Sequence, residues 1–261
     1  MDPSVALLDG RPATVGELQA LALTNYGHFT TFRVDDGRVR GLELHLSRLV
    51  HDCRALFAAD LDVDLVRRFL RLATVGRPDC TVRVTVFDPA LDLGHPGAAM
   101  EPHVLITRRT ASPARPRALT VQTVHHERPA PDIKSVGLFA SLRLRRAAQL
   151  TGYDDALFID DDAHVTEGAT WNIGLVSGAD ILWPRAPQLP GVTMQLLQAA
   201  RVHRVAPIAL ADISSMTAAF ATNSVLGVRA VAAIDDVSFP AGHPVLDLLR
   251  DDYAGVPRTT I

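Results

Sequence analysis

The sequence predicts an α+β fold in two domains, and three observations carry that expectation. Segments such as TVRVTVF and ALTVQTV alternate apolar and polar residues as half-buried strands do. HLSRLVHDCRALF and SLRLRRAAQLTG instead repeat apolar residues at spacings of three and four, the mark of amphipathic helices. Between these two mixtures lies TASPARPR, with two prolines and no periodicity, which reads as a linker. The expected division is residues 1–108, a linker over 109–117, and residues 118–261.

In the first part, HFTTFRV reads as a strand because aromatic and β-branched residues dominate it, and DDGRV has the Asp-Gly chemistry of a tight turn. A helix follows, with Leu46, Leu49, Val50, Cys53, Leu56 and Phe57 on one apolar face. DLVRRFLRLATVG repeats the helical pattern, and TVRVTVF and HVLITRR read as strands. In the second part, ALTVQTV is a strand, SLRLRRAAQLTG is a helix that Gly152 stops, and DALFID is a strand. HVTEGATWNIGLV and ILWP read as two further strands, set off by the turn sequences DDDA and SGAD, so a meander is expected. No internal repeat or low-complexity segment is evident.

Composition narrows the function classes. The chain has 261 residues, 48% of them hydrophobic, and no run approaches the roughly 18 apolar residues that a membrane span requires. MDPSVALLDGRPATVGEL has no basic region ahead of an apolar stretch, so a cytoplasmic protein is expected. A net charge of −3 with scattered basic residues gives no footprint for nucleic acid, which leaves small molecules as the expected partners. Cys53 and Cys80 are too few for a disulfide framework or a structural zinc site. They are compatible with one bridge, and two free buried thiols is the favoured reading. No histidine spacing suggests metal ligands.

Lysine and arginine together number 26, and all but Lys134 are arginine. On a solvated surface the two are nearly interchangeable, but an ε-amine loses its proton when desolvated and attacks carbonyls, which a guanidinium does not. Read alone, Lys134 is equally well explained as a survivor of compositional drift, so its neighbours must decide. Glu167, in VTEGATWNIGLV, is an acid inside or beside a strand. A lysine and a carboxylate suit opposite parts of pyridoxal phosphate, one at the aldehyde and the other at the ring nitrogen.

IKS, then DDALFIDDDAHVTEGATWNIGLV, then LPGVT, resembles in order and spacing the class IV aminotransferases, the fold-type IV pyridoxal phosphate enzymes that include branched-chain and D-amino acid transaminases and aminodeoxychorismate lyase. The resemblance runs from about FTTFRV to VAAIDDVSF and implies a two-domain α+β enzyme. It makes Lys134 the Schiff-base lysine, carried by the second domain, which also moves protons at the substrate α-carbon. It sets Glu167 against the pyridine nitrogen and Arg48, in HLSRL, on the phosphate, where a planar fork suits an oxyanion. Gly191 would let the backbone approach, Val192 and Thr193 would open a phosphate-binding helix, and Asn223 would add a phosphate hydrogen bond. Asn172 would support the site from behind. A homodimer follows from the same resemblance, because the family's sites lie between domains and near a subunit interface.

Within the family, FTTFRVDDGRVRGLELHLSRL and TNSVLGVRAVAAIDDVSF resemble aminodeoxychorismate lyase most. Thr30 stands where many transaminases carry a glutamate, and the hydroxyl of Thr30 or Thr31 is a candidate to face the substrate, though both also suit a plain strand. Phe139 stands where many relatives have a tyrosine five residues after the lysine, and ALTNYGHFTT and VTVFDPALD depart from the usual substrate segments. The expected reaction is conversion of 4-amino-4-deoxychorismate to 4-aminobenzoate and pyruvate. Transamination of a branched-chain or D-amino acid is the alternative, and a non-catalytic homologue the second alternative. His28, His125 and His126 either line an altered pocket or are structural.

Overall fold

A computed structural model describes residues 5–77, 79–111 and 117–261. Residues 112–116 of the expected linker, and Asp2 in the N-terminal segment, lie outside the described residues. The chain divides into two compact units. One joins the described residues before 112 to Ile133–Gly137 and Pro257–Ile261, and the other takes the described residues from 117 to 132 and Leu138–Val256.

The segment bearing Lys134 thus packs with the first unit, where the sequence division at 118 assigned it to the second. Backbone hydrogen bonds are the reason. Phe29 N–H donates to the Lys134 carbonyl at 2.9 Å, and Val136 N–H donates to the Gly27 carbonyl at 3.0 Å. An antiparallel bridge joins His28 to Ser135.

The first unit is built on an antiparallel sheet in the spatial order Arg11–Pro12, Val5–Leu8, His103–Arg109, Cys80–Phe87, His28–Val34. Asp36 and Gly37, at φ 52° and 66°, form the expected Asp-Gly turn. Asp9 and Gly10, at φ 50° and 82°, form a second one between Val5–Leu8 and Arg11–Pro12. The Leu42–Phe57 helix packs on the His28–Val34 strand and contributes Leu42, Leu46, Leu49, Cys53 and Phe57 to the core, beside Phe32, Val82 and Val84. The Val63–Thr74 helix adds Val66, Leu70 and Ala73, its start capped by Asp62. A further helix, Val15–Thr24, begins with a capping box between Thr14 and Glu17. Arg38–Arg40 pairs with Arg258–Thr260 as a separate ribbon.

The second unit holds a nine-stranded sheet. Its main path runs Arg204–Ala206, Asp180–Pro184, Asn172–Ser177, Ala218–Asn223, Gly227–Ile234, Leu119–His125, Asp155–Ile159, Val165–Gly168. Val237–Ser238 pairs in addition with Gly227–Ile234. Leu119–His125 and Asp155–Ile159 run parallel, and the helix Phe139–Leu150 lies in the connection between them, as parallel neighbours require.

The expected single strand over 164–176 is two strands, Val165–Gly168 and Asn172–Ser177. Gly168 N–H donates to the Trp171 carbonyl at 2.8 Å and closes a turn. The Trp171 ring occupies the space that a Cβ on residue 168 would need, 2.0 Å away. The two strands therefore separate: one ends the sheet, and the other sits between Asp180–Pro184 and Ala218–Asn223, so the arrangement is not a simple meander. Cys53 and Cys80 are free and buried. Among the described residues no helix is long and apolar enough to cross a membrane.

Candidate active site

Beside its apolar stripe the Leu42–Phe57 helix carries a polar one. His45, Arg48 and Asp52 follow each other at spacings of three and four, so they share a face, and His45 and Asp52 are fully buried. The facing strand alternates with period two and turns His28, Thr30 and Phe32 toward one side. Arg48 Nη2 donates to Thr30 Oγ1 at 2.5 Å, and Thr30 Oγ1 lies 2.7 Å from His45 Nδ1. Arg48 Nη2 is also 3.4 Å from His45 Nδ1. Because a guanidinium only donates, Nδ1 as an acceptor satisfies both contacts. The Thr30 hydroxyl is therefore engaged inside this cluster, and Thr31 belongs to the other face of the strand.

Burial and charge set the ionisation of the group. His45 is held well below its ordinary pKa by burial first, then by the positive charges of Arg48 and Lys134. Burial and Arg48 push His28 down to about 3, so both rings are neutral. Burial lowers Arg48 to about 10, against the pull of Asp52, which leaves it a cation at neutral pH. Asp52 is pushed up by burial and pulled back by His51, the Lys134 peptide and Arg48. Among the described residues, Arg48 Nε, His45 Nε2 and both ring nitrogens of His28 are buried without a hydrogen-bond partner.

Lys134 runs along the edge of the same strand. Its carbonyl accepts from Phe29, its N–H donates to Asp52 Oδ2 at 3.1 Å, and its Nζ lies 5.0 Å from the Phe29 ring centroid. The Arg83 guanidinium carbon stands 3.6 Å from that ring centroid.

In the second unit the buried carboxylate of Glu167 accepts from Arg128 Nη1 at 3.0 Å and from the Leu189 N–H at 3.4 Å. Val192 and Thr193 open the helix Val192–Ala200, whose N-cap is Gly191 and has no side-chain cap. The first-turn N–H groups thus form a place suited to an anion. Gly191 is required by space, since a Cβ there would lie 1.9 Å from Asn172 Oδ1. Asn172 in turn donates to Leu189 O at 2.8 Å and to Gln188 Oε1 at 3.0 Å, which fixes the turn leading into the helix. Thr193 Oγ1 lies 3.3 Å from Ser224 Oγ. Asn223 Oδ1 accepts from the Val225 and Leu226 N–H groups, so its carbonyl is committed to its own loop. The residue also lines a cavity of about 350 Å³ with Arg145, Asp155, Trp171 and Arg229.

Thr30, Arg48 and Lys134 thus fall in the first unit, and Glu167, Val192, Thr193 and Asn223 in the second. Sequence reasoning passed over His45, Asp52, Arg128 and Ser224. The first two had a signal, the polar stripe at helical spacing, and Ser224 adjoins a residue already singled out. Arg128 had none. His126 packs edge-on against Phe158 at 4.7 Å, and His125 is exposed. Among the described residues no group of His, Cys, Asp and Glu stands in place to hold a metal ion.

The chain is 24% identical over 251 residues to a probable branched-chain-amino-acid aminotransferase of Rickettsia felis, covering 87% of this chain and 84% of that protein. Its fold matches a hypothetical aminotransferase from Mycobacterium tuberculosis in PLP-bound form with a TM-score of 0.82, at 18% identity over 97% of this chain and 98% of the other. It matches 4-amino-4-deoxychorismate lyase from Pseudomonas aeruginosa with a TM-score of 0.78, at 24% identity over 95% and 97%. Residues 27–234, which span every candidate residue from Thr30 to Asn223, match the family described as amino-transferase class IV, and the chain belongs to that family.

Proposed function

We propose that this chain is a pyridoxal-phosphate-dependent lyase that converts 4-amino-4-deoxychorismate to 4-aminobenzoate and pyruvate. The residues fit the cofactor. An amine, a buried carboxylate, an uncapped helix start behind a glycine, and a buried guanidinium with an unpartnered Nε match its aldehyde, ring nitrogen and phosphate in chemistry. When bound, the cofactor supplies an electron-withdrawing ring that stabilises negative charge beside the substrate nitrogen.

In this reading Lys134 is the amine that would hold the aldehyde carbon, and the same amine would take the proton from the substrate carbon that bears nitrogen. Breaking the ring carbon–oxygen bond would then release the enolpyruvyl group, which takes up a proton to become pyruvate, and leave the aromatic 4-aminobenzoate. Glu167 would accept the ring N–H, and Arg128 gives that buried carboxylate a counter-charge. Arg48, the Thr193 hydroxyl and the Val192 and Thr193 N–H groups would hold the phosphate, and Asn223, whose Oδ1 shapes the adjoining loop, would add a hydrogen bond from its amide Nδ2.

The observation that favours the lyase is Thr30. Where many transaminases of this family place a charged glutamate, this strand presents a buried hydroxyl given over to Arg48 and His45. Phe139 likewise brings no hydroxyl five residues after Lys134. Transamination is the second reading, favoured by the likeness to the Rickettsia protein.

The test supplies 4-amino-4-deoxychorismate to the protein loaded with pyridoxal phosphate, and in a parallel sample an amino donor such as leucine or D-alanine alone. Equimolar 4-aminobenzoate and pyruvate, with no oxo acid from the donor, supports the lyase. Oxo acid equal to the enzyme present, with the cofactor left in its amine form, supports transamination. Neither product would return the chain to a binding role. A cytoplasmic homodimer completes the proposal, and light scattering at twice the 28.2 kDa chain mass tests the dimer.

A further inference from the structure

The carboxylate of Asp52 is fully buried, yet the roles assigned above make no use of it. It sits two turns along the helix from His45 and one turn from Arg48, and its Oδ2 accepts the backbone N–H of Lys134 at 3.1 Å. Oδ1 lies 3.0 Å from His51 Nδ1, on a ring that is more than half exposed, and Oδ2 lies 4.0 Å from His28 Nδ1. Burying a carboxyl is costly, and burial does push this one toward its protonated form. A carboxyl kept there against that cost, in line with a peptide N–H, does something a leucine would not.

Both backbone groups of Lys134, on the peptides either side of its Cα, are engaged. Phe29 N–H takes its carbonyl, and Asp52 takes its N–H. The strand bonds, Phe29 N–H to the Lys134 carbonyl and Val136 N–H to the Gly27 carbonyl, tie the chain from the Lys134 carbonyl onward, whereas the bond to Asp52, from a helix on the same core, holds the peptide on the other side of the Lys134 Cα.

We propose that Asp52 is a positioning residue for Lys134: by holding the lysine's peptide N–H from the Leu42–Phe57 helix, it fixes where the amine emerges. The inference deepens the proposed function and rests on Lys134 being the amine that takes the cofactor.

Lys134 is the sole lysine of the chain, so amine chemistry read on its peptide is unambiguous. The experiment compares the full-length protein with Asp52→Ala and Asp52→Asn. Pyridoxal phosphate is added, samples are quenched with borohydride over time, and the label on the Lys134 peptide is quantified by mass spectrometry. Misplacement by an ångström can cost a reacting pair orders of magnitude, so Asp52→Ala is expected to slow capture about tenfold or more. Asp52→Asn keeps an acceptor of the same shape and is expected to stay within about threefold of wild type. A general amine reagent is expected to label Lys134 equally in all three, because access is unchanged.

Capture by Asp52→Ala at the wild-type rate would overturn the proposal and leave the cofactor reading intact. An Asp52→Asn protein slower than wild type by about tenfold or more would also overturn it, since charge rather than the bond would then matter, and this arm, read against wild type, decides the question if alanine prevents folding. Loss of general labelling in step with capture would point to a buried amine and likewise count against positioning. A wild type that captures nothing on Lys134 would overturn both readings.

Discussion

The guanidinium of Arg128 meets the carboxylate of Glu167 at 3.0 Å, where Glu167 keeps 5% of its side-chain surface and Arg128 18%. Breaking such a pair from one side strands a charge, while removing both sides does not. Arg128→Met is therefore expected to cost about 3 kcal/mol in urea unfolding, and the double variant Arg128→Met with Glu167→Gln to recover most of it. A double variant no more stable than Arg128→Met alone would mean that the pair does not set the cost.

Thr30 joins Arg48 to His45. Thr30→Val keeps the shape but removes the acceptor for a buried cation, an expected loss of about 2 kcal/mol, whereas Thr30→Ser keeps the hydroxyl and most of the stability. If Arg48 holds the phosphate as proposed, Thr30→Val also raises the dissociation constant for pyridoxal phosphate, and titration of the visible absorption reads it.

The Leu42–Phe57 helix was legible because Leu46, Leu49, Cys53 and Phe57 recur at helical spacing, and its polar stripe was not. His45, Arg48 and Asp52 have the same spacing one residue out of phase, and polarity alone assigns such residues to solvent. Only the strand bearing Thr30 makes that face an interior one. The Asp-Gly turn at Asp36 and the helix that ends before Gly152 were equally readable, since each depends on local chemistry.

Three features lay beyond local pattern. The break between Val165–Gly168 and Asn172–Ser177 depends on Trp171 folding over Gly168, inside a stretch apolar enough to read as one strand. The Val15–Thr24 helix carries Val15, Leu18, Leu21 and Leu23 on several sides and fully buries none of them, so no single apolar face marks it in the sequence, although T-V-G-E is a capping-box signal. The Lys134 segment joins the first unit through bonds to Phe29 and Asp52, partners that are distant in sequence. The candidate residues stood out through chemistry, one lysine in an arginine-rich chain, while their supports at His45, Asp52 and Arg128 emerged from packing.

Stability should fall as the solution is acidified. His28 is lowered from 6.5 to about 3, so between those values the unfolded chain binds a proton that the folded chain refuses, and acid favours unfolding. His45 acts in the same direction. Asp52 opposes them above 3.8, because its raised pKa lets the folded chain take its proton first. His28→Leu is expected to flatten the fall in unfolding free energy below pH 6.5 by about 1.4 kcal/mol per pH unit. An unchanged slope would mean that His28 is protonated in the folded state.

Gly191 has an ordinary φ of −63°, so space alone forbids a side chain there. Gly191→Ala drives a methyl into Asn172 and strains its bond to the Leu189 carbonyl, an expected cost of about 2 kcal/mol. It should also weaken pyridoxal phosphate more than a surface substitution does, because the helix start must shift.

The central claim is that Lys134 is the amine that takes pyridoxal phosphate. The measurement is the visible spectrum of the purified protein with the cofactor, before and after borohydride, followed by peptide mapping. The account predicts a band that borohydride abolishes, with the cofactor fixed on the Lys134 peptide and no label in Lys134→Ala. No band, or equal labelling of Lys134→Ala at another site, would contradict it.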